Sequence, residues 1–543
     1  MRLRIDNRIR VTGATPEQEA ALKALCEHEN PRRADLPRLE AMLESRRWDG
    51  RLRAQVMAAR EEPAILRTWR FEDGELTLPR GLWSTEAWAP FGLNGSFEDV
   101  RSTHTMGGAG SKWRPKKALR DYQEAAVTAM LRDEQGLLRQ SAGSGKTLAL
   151  LTFAARCGLP TIAIVPSQAL LEQWVAVAIQ DFGLTADEIG CIGGGTKRVR
   201  PLTIALVDSL AAQDCRLAKE LSRTFGCLLF DEVYGAPART RYDVVDCFAA
   251  RYRFGAGDDE RRKDDVECLT YDLFGEVLAE APRAMLEKLG WIHSVRVRLV
   301  ETGTPAPKWW VDLPPLARST RYLEIVRYLE DDPKRAALVA ALACMAVRSG
   351  NQVLVFGHHR DHALRMQADV VAMAPDLAHA TGRFLGGTSA AKERQDTTVG
   401  LLEGRTKAAF ATYKALGKGI NLPAVSRAVL ATPIHGAREN VNQVLARINR
   451  TAEGKDRPEA AVLYDSEVFG LSPVRKYMAG KRDVVVQTVD GRELPARDYI
   501  EEWEAKADAG KVTPGSFFSD LGGEPGPRGR PITSTGELRK SWR

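Results

Sequence analysis

The sequence predicts an α/β protein built from two parallel, doubly wound sheets in tandem. Three observations carry this expectation. Short, continuous apolar runs alternate with helical patterns, as in strand–helix–strand units. The same rhythm starts again after a break near residues 300 to 320. A glycine-rich loop and an acidic pair each follow an apolar run in the first half, where ligands of such sheets bind.

The elements follow in chain order. "EQEAALKALCEHE" and "DLPRLEAMLESRR" have apolar spacings near three and four and read as helices. "AILRTWRFEDGELTLP" reads as a hairpin turning at Asp73-Gly74. These belong to a small α+β accessory domain, residues 1–106, and "GGAGSKWRPKK" reads as a linker. In residues 107–305, "EQGLLRQ", "PTIAIVP", "LTIALVD", "CLLFDE" and "YRFGAG" are buried strands. "TLALLTFAARCG" and "SQALLEQWVAVAIQDFG" are their crossover helices. In residues 306–480, "NQVLVFG", "AAFATY", "RAVLAT" and "AAVLYD" repeat the pattern, with helices "KRAALVAALACMAVRSG" and "ENVNQVLARINR". Residues 481–543 form an extension whose end, "GGEPGPRGRPITSTGELRKSWR", is too poor in apolar residues for a core and is expected to be disordered.

Composition narrows the function classes. The 543 residues are 44% hydrophobic and 27% charged, which is soluble globular usage. No uncharged apolar run reaches about 18 residues, so no membrane span is expected. The basic start "MRLRIDNRIRVTG" lacks the apolar core of a signal peptide. The net charge of +7 suits a polyanionic partner, and equally a solvated surface with a slight basic excess. The eight cysteines include no C-x-x-C pair, which points to a reducing, cytoplasmic setting without zinc. "GHHRDH" follows a strand without H-x-x-x-H spacing and reads as a polar loop rather than a metal site.

The strongest chemical signal is "RQSAGSGKTLALL". A strand feeds a glycine-rich turn and then a helix, the context of a phosphate-binding loop. Gly143 and Gly145 let backbone amides close around phosphate oxygens, and the helix N-terminus points at them. Lys146 would reach the β- and γ-phosphates and Thr147 would ligate Mg²⁺. Gln140 stands where the motif has its first glycine. "CLLFDE" then places Asp231 and Glu232 at the end of a buried strand. Two carboxylates there repel and raise each other's pKa, unless a cation arrives with a nucleotide. Asp231 would hold that metal, and Glu232 would orient and deprotonate water. Gln123 has a carboxamide suited to an adenine edge, or to a solvated helix face. Gln443, Arg447 and Arg450 are four and three apart and share one face of a helix. That face either stabilises charge on a phosphoryl group or is simply solvated.

In order, "LRDYQ", "SAGSGKT", "IVPSQALLEQW", "FDEVY", "FGAG", "VLVFGHH", "ATYKALGKGINLP" and "QVLARINR" resemble the motif series of the superfamily-two helicases over roughly residues 115–470. The resemblance implies two RecA-like domains, ATP and Mg²⁺ as cofactors, and DNA as partner. It implies that Gln123 contacts adenine and that Gly143, Ser144, Gly145, Lys146 and Thr147 hold the phosphates. Asp231 and Glu232 would do the metal and water work. Gly419 and Asn421 would border the nucleotide, with Gln443, Arg447 and Arg450 as catalytic residues and the two arginines as fingers. Pro166, Ser167, Ser209 and Thr412 would face the nucleic-acid backbone. Three departures stand out: Tyr234 in "DEVY", Gly255-Ala256-Gly257 for the usual Ser/Thr-Ala-Thr, and Ala446 for glycine.

"RWDGRLR" and "LPRGLW" resemble the N-terminal domain of the UvsW-like phage helicases, and "DERRKDD" is similar to the XPB-like branch. This implies that Trp48, Arg51 and Arg53 meet duplex backbone. It also implies remodelling of forked or branched DNA and single strands, alongside recombination or replication proteins. Two other readings stay open: the motor subunit of a restriction or defence system, and an ATP-gated nucleic-acid clamp that scarcely turns over.

Overall fold

The computed structural model describes residues 1–45, 50–83, 97–104, 113–235, 239–258, 267–314, 318, 321–386, 390–413, 415, 422–433, 444–479 and 483–508. The chain divides into two compact units, Met1–Arg283 and one that begins at Ala284.

The first unit holds two layers of architecture. At the N-terminus lie β1 (Arg2–Ile5), β2 (Arg8–Thr12), β3 (Glu27–Glu29), β4 (Ile65–Arg67), β5 (Arg70–Glu72), β6 (Glu75–Pro79) and β7 (Phe97–Asp99). Five of these form a sheet in the order β5-β6-β2-β1-β7, while β3 and β4 pair separately. The hairpin turns at Asp73 and Gly74, both with positive φ, 53° and 81°, as two-residue turns demand.

The larger sheet comprises β8 (Gln135–Gln140), β9 (Thr161–Val165), β10 (Ile189–Gly193), β11 (Thr196–Arg198), β12 (Leu202–Leu206), β13 (Cys227–Asp231), β14 (Tyr252–Gly257) and β15 (Val277–Ala281). Their order is β11-β10-β12-β9-β13-β14-β8-β15, parallel except for β10 with β11. Every residue of β9 and β13 is buried, which explains their unbroken apolar runs: helices cover both faces.

The N-terminal sheet is bolted to this one. Arg8 is fully buried and pairs with Asp246 at 2.7 Å. Arg80 donates to the carbonyls of Ala250 (2.8 Å) and Arg251 (2.7 Å), and Arg253 donates to that of Asn7 at 3.1 Å. Asp272 accepts from Thr68 at 2.6 Å and lies 2.8 Å from His28. Burial lowers the pKa of Arg253 to about 10, within the range where it stays charged at neutral pH.

The second unit carries β16 (Arg296–Glu301), β17 (Gln352–Gly357), β18 (Thr381–Phe384), β19 (Ala408–Thr412), β20 (Val425–Leu430), β21 (Glu459–Tyr464), β22 (Asp483–Gln487) and β23 (Glu493–Pro495). The order is β18-β19-β17-β20-β21-β16-β22-β23, parallel except for the last pair. Two expected boundaries shift for a physical reason. β16 inserts between β21 and β22, so residues 284–305 belong with the second sheet rather than the first. β22 and β23 complete that sheet beyond residue 480, followed by a helix, Ala496–Asp508.

Candidate active site

β8 ends at Gln140 and the helix Lys146–Cys157 begins six residues later. The turn between them needs left-handed backbone, which Gly143 (φ 89°) and Gly145 (φ 80°) supply without strain. Gly145 also has no room for a side chain, because a Cβ there would lie 2.5 Å from Nε2 of Gln123. Lys146 folds back and donates to the Gln140 carbonyl at 2.8 Å. Ser144 is buried and its hydroxyl lies 3.5 Å from Oε1 of Gln140. Gln140 Nε2 and Ser141 Oγ are buried without a hydrogen-bond partner. A glycine-lined turn with a lysine at its mouth and buried donors unspent beside it suits a nucleotide phosphate. Thr147, in the first turn of the helix, is buried at the same place.

Gln123 and Tyr122 lie on the helix Asp121–Asp133 and brace this turn from behind. Gln123 is 2% exposed. Its Nε2 donates to the carbonyls of Ser144 (2.8 Å) and Gly145 (3.4 Å), and its Oε1 accepts from the Arg120 amide at 2.9 Å. Tyr122 donates to the same Ser144 carbonyl at 2.6 Å. The expected adenine ligand is thus also a strut of the phosphate loop.

Asp231 ends β13, with β14 between it and β8. It is 4% exposed, and its Oδ2 accepts from Nε1 of Trp174 at 2.9 Å. Oδ1 accepts from the Glu232 amide at 2.9 Å. Burial pushes the Asp231 carboxyl above its ordinary range and the charge of Glu232 adds to this; Lys146 and the Trp174 bond oppose it. Glu232 has φ 56°, a left-handed conformation that costs a residue with a side chain about 1–2 kcal/mol. Strain of that kind persists only where the flanks hold it.

Trp174 was not legible as a site residue. Its spacing with Leu170, Leu171 and Ala178 puts it on the buried face of the helix Gln168–Phe182. A buried indole needs an acceptor, and that need is the signal a sequence carries. Ser167, expected on a nucleic-acid backbone, caps that helix, accepting from the Leu170 amide at 3.4 Å. Pro166 beside it and Ser209 on the helix Val207–Glu220 are both half-buried.

In the second unit Thr412 ends β19 and is buried, accepting from the Ala415 amide at 3.2 Å. The helix expected through Arg450 does not continue past Leu445. Arg447 and Ile448 make tight turns to Val444 (3.1 Å) and Leu445 (3.1 Å), and Arg450 bridges to Ile292. The Asn449 carbonyl accepts from the His293 amide at 2.6 Å. Lys455 then donates to three carbonyls, Pro423 (2.8 Å), Ile448 (2.8 Å) and Arg450 (2.7 Å). The chain leaves the helix after Leu445 and reaches a bridge at Arg450, so Arg447 and Arg450 do not share a helix face. Burial lowers the pKa of Lys455 to about 7, with Arg450 and Arg427 adding to the shift, and burial lowers that of Arg450.

Arg53 is exposed on the helix Gly50–Glu61. Trp48, the Arg51 side chain, Gly419, Asn421 and Gln443 lie outside the described residues. The histidine loop is held by Glu330, which lies 2.6 Å from Nδ1 of His359 and 2.9 Å from that of His362. Among the described residues no cluster of His, Cys, Asp and Glu could hold a metal ion, no helix is long and apolar enough to cross a membrane, and the eight cysteines are free thiols.

Residues 116–256 match the protein family described as "Type III restriction enzyme, res subunit". The chain is 26% identical over 339 residues to the DNA 3'-5' helicase XPB of Mycobacterium tuberculosis, covering 61% of this chain and 58% of that one. It is 24% identical over 370 residues to the probable helicase D10 of Escherichia phage T5, covering 68% and 76%. It thus spans little more than half the length of the mycobacterial relative. Among solved structures, an HsdR subunit fragment described from a type I restriction enzyme of Vibrio vulnificus superposes with a TM-score of 0.51 at 18% identity, covering 70% and 71%. The two parallel sheets thus share the fold of that fragment, and the chain is similar in sequence to the mycobacterial and phage helicases.

Proposed function

We propose that the protein is an ATP-dependent DNA helicase or translocase that remodels branched DNA by fork regression, branch migration and annealing. One observation carries the reading. A glycine-rich loop and an Asp-Glu pair whose aspartate is buried follow strands of one parallel sheet, with Lys146 near enough to stabilise the Asp231 carboxylate.

In this reading the amides of residues 143–147 and the Lys146 ammonium bind the ATP phosphates. Thr147 and Asp231 would hold Mg²⁺, whose charge offsets that of the phosphates. Glu232 takes a proton from the attacking water as the γ-phosphoryl group leaves ADP. Arg447 and Arg450 would act as fingers on the transferred group, Gln443 would join them as a catalytic residue, and Gly419 and Asn421 would border the nucleotide. Pro166, Ser167, Ser209 and Thr412 follow the DNA backbone, and Trp48, Arg51 and Arg53 meet duplex. The motif order and the likeness to a phage helicase support this, and a cytoplasmic setting belongs to it.

DNA-stimulated ATPase assays on Lys146→Ala and Glu232→Gln test the chemistry; near-wild-type turnover in either ends the reading. Forks, four-way junctions and RNA duplexes assayed side by side for unwinding and annealing test the substrate. The family matched by residues 116–256 favours a second reading, the motor of a restriction system. A nuclease subunit co-purifying with the chain would decide for it.

A further inference from the structure

β14 lies between the strand that carries the phosphate loop and the strand that ends in the acids. Its last residues are Gly255, Ala256 and Gly257. In register, Asp231 pairs with Ala256 on one side, and Gly257 pairs with Arg139 on the other. After Glu232 the chain makes a short turn, Val233–Gly235, that packs onto those glycines. A Cβ on Gly255 would lie 2.4 Å from Cγ2 of Val233, and one on Gly257 would lie 2.8 Å from Cδ2 and from Cε2 of Tyr234. Carbon atoms do not approach so closely, so alanine at either position must displace the turn. The Tyr234 hydroxyl is 3.4 Å from Nε of Arg139, whose guanidinium also donates to Tyr271 (2.8 Å) and pairs with Glu280 (3.2 Å).

Glu232 sits between two fixed points. Asp231 is tied to Trp174 on one side, and Tyr234 is keyed into β14 on the other. Its left-handed backbone, φ 56°, is held by that pair of anchors. We infer that Tyr234, seated against Gly257 while Val233 beside it fills the space over Gly255, is a positioning residue that aims the Glu232 carboxylate at the attacking water. The inference rests on the hydrolase reading above. The turn residues of "DEVY" and the glycines in "FGAG" are then a single device: Val233 fills the space over Gly255 and the Tyr234 ring the space over Gly257.

Steady-state ATPase measurements, with binding of a non-hydrolysable ATP analogue measured separately, test it. Tyr234→Ala lowers kcat roughly ten-fold or more, while KM and analogue Kd stay within about two-fold. Tyr234→Phe keeps the ring and stays within about three-fold of wild type. Gly257→Ala loses as much kcat as Tyr234→Ala, and the double variant loses no more than either, since both empty one seat. If Gly257→Ala does not fold, Tyr234→Ala against Tyr234→Phe decides the matter. A Tyr234→Ala kcat within about two-fold of wild type overturns the inference, as does loss of analogue binding in step with kcat. A wild-type protein without ATPase activity overturns the hydrolase reading itself.

Discussion

The indole Nε1 of Trp174 donates a 2.9 Å hydrogen bond to Oδ2 of Asp231, and both side chains are buried. The bond comes from a helix on a different crossover, so the acid is aimed by an element outside its own strand. It also favours the carboxylate over the acid, against burial and the charge of Glu232.

Trp174→Phe removes that donor and keeps most of the packing. The Asp231 pKa then rises, more of the acid form is present at any given low pH, and the metal competes less well. The acid limb of the ATPase pH profile should move to higher pH, with a loss of roughly ten-fold at its foot. An unmoved limb with lowered thermal stability would leave Trp174 a packing residue alone.

Gln123→Ala separates a strut from a base reader. Loss of the two bonds to the phosphate-loop carbonyls should weaken ATP and GTP alike, by about ten-fold each. Loss of an adenine contact would weaken ATP alone. Fluorescent analogues of both nucleotides make the comparison.

Lys455→Met removes three donors from the segment that carries Arg447 and Arg450. The expected outcome is a kcat reduced by about ten-fold or more, with nucleotide affinity near wild type, because the phosphate loop lies in the other domain. Steady-state kinetics beside equilibrium binding check it.

Glu330 sets a pH dependence for the second domain. Burial alone would raise its pKa, but His362 and His359 hold it down to about 2. A carboxyl depressed in the folded state contributes stability above its unfolded pKa near 4.5 and loses it as pH falls towards 2. The contribution is about 3 kcal/mol, and Glu330→Gln should flatten the stability profile in that window. Thermal midpoints measured from pH 5 to pH 2 read it out.

Asp246→Ala leaves the buried Arg8 guanidinium without its carboxylate. A cost of about 3–5 kcal/mol is expected, lowering the melting transition of the first unit by about 10 °C. Calorimetry on the full chain checks it.

The fold was legible because buried parallel strands write themselves as unbroken apolar runs, as in "CLLF" and "QVLVF". β16 was harder: "RVRLVE" alternates charged and apolar residues, and nothing local says which sheet it will join. The turn after β8 and the acids after "CLLF" were legible in place, because left-handed backbone favours glycine and an apolar run shows where a buried strand ends. The helix expected through Arg450 failed because periodicity cannot see that the chain turns after Leu445 to pair Arg450 with Ile292, a segment far away in sequence. Trp174, and the fit of Tyr234 against Gly257, depend on contacts between distant segments. Each residue looked ordinary or aberrant by itself.

The buried arginines joining the amino-terminal sheet to its neighbour leave that sheet no swing of its own. Whatever that sheet touches is carried wherever the strands beside it go, like a jaw brazed to the handle of a wrench.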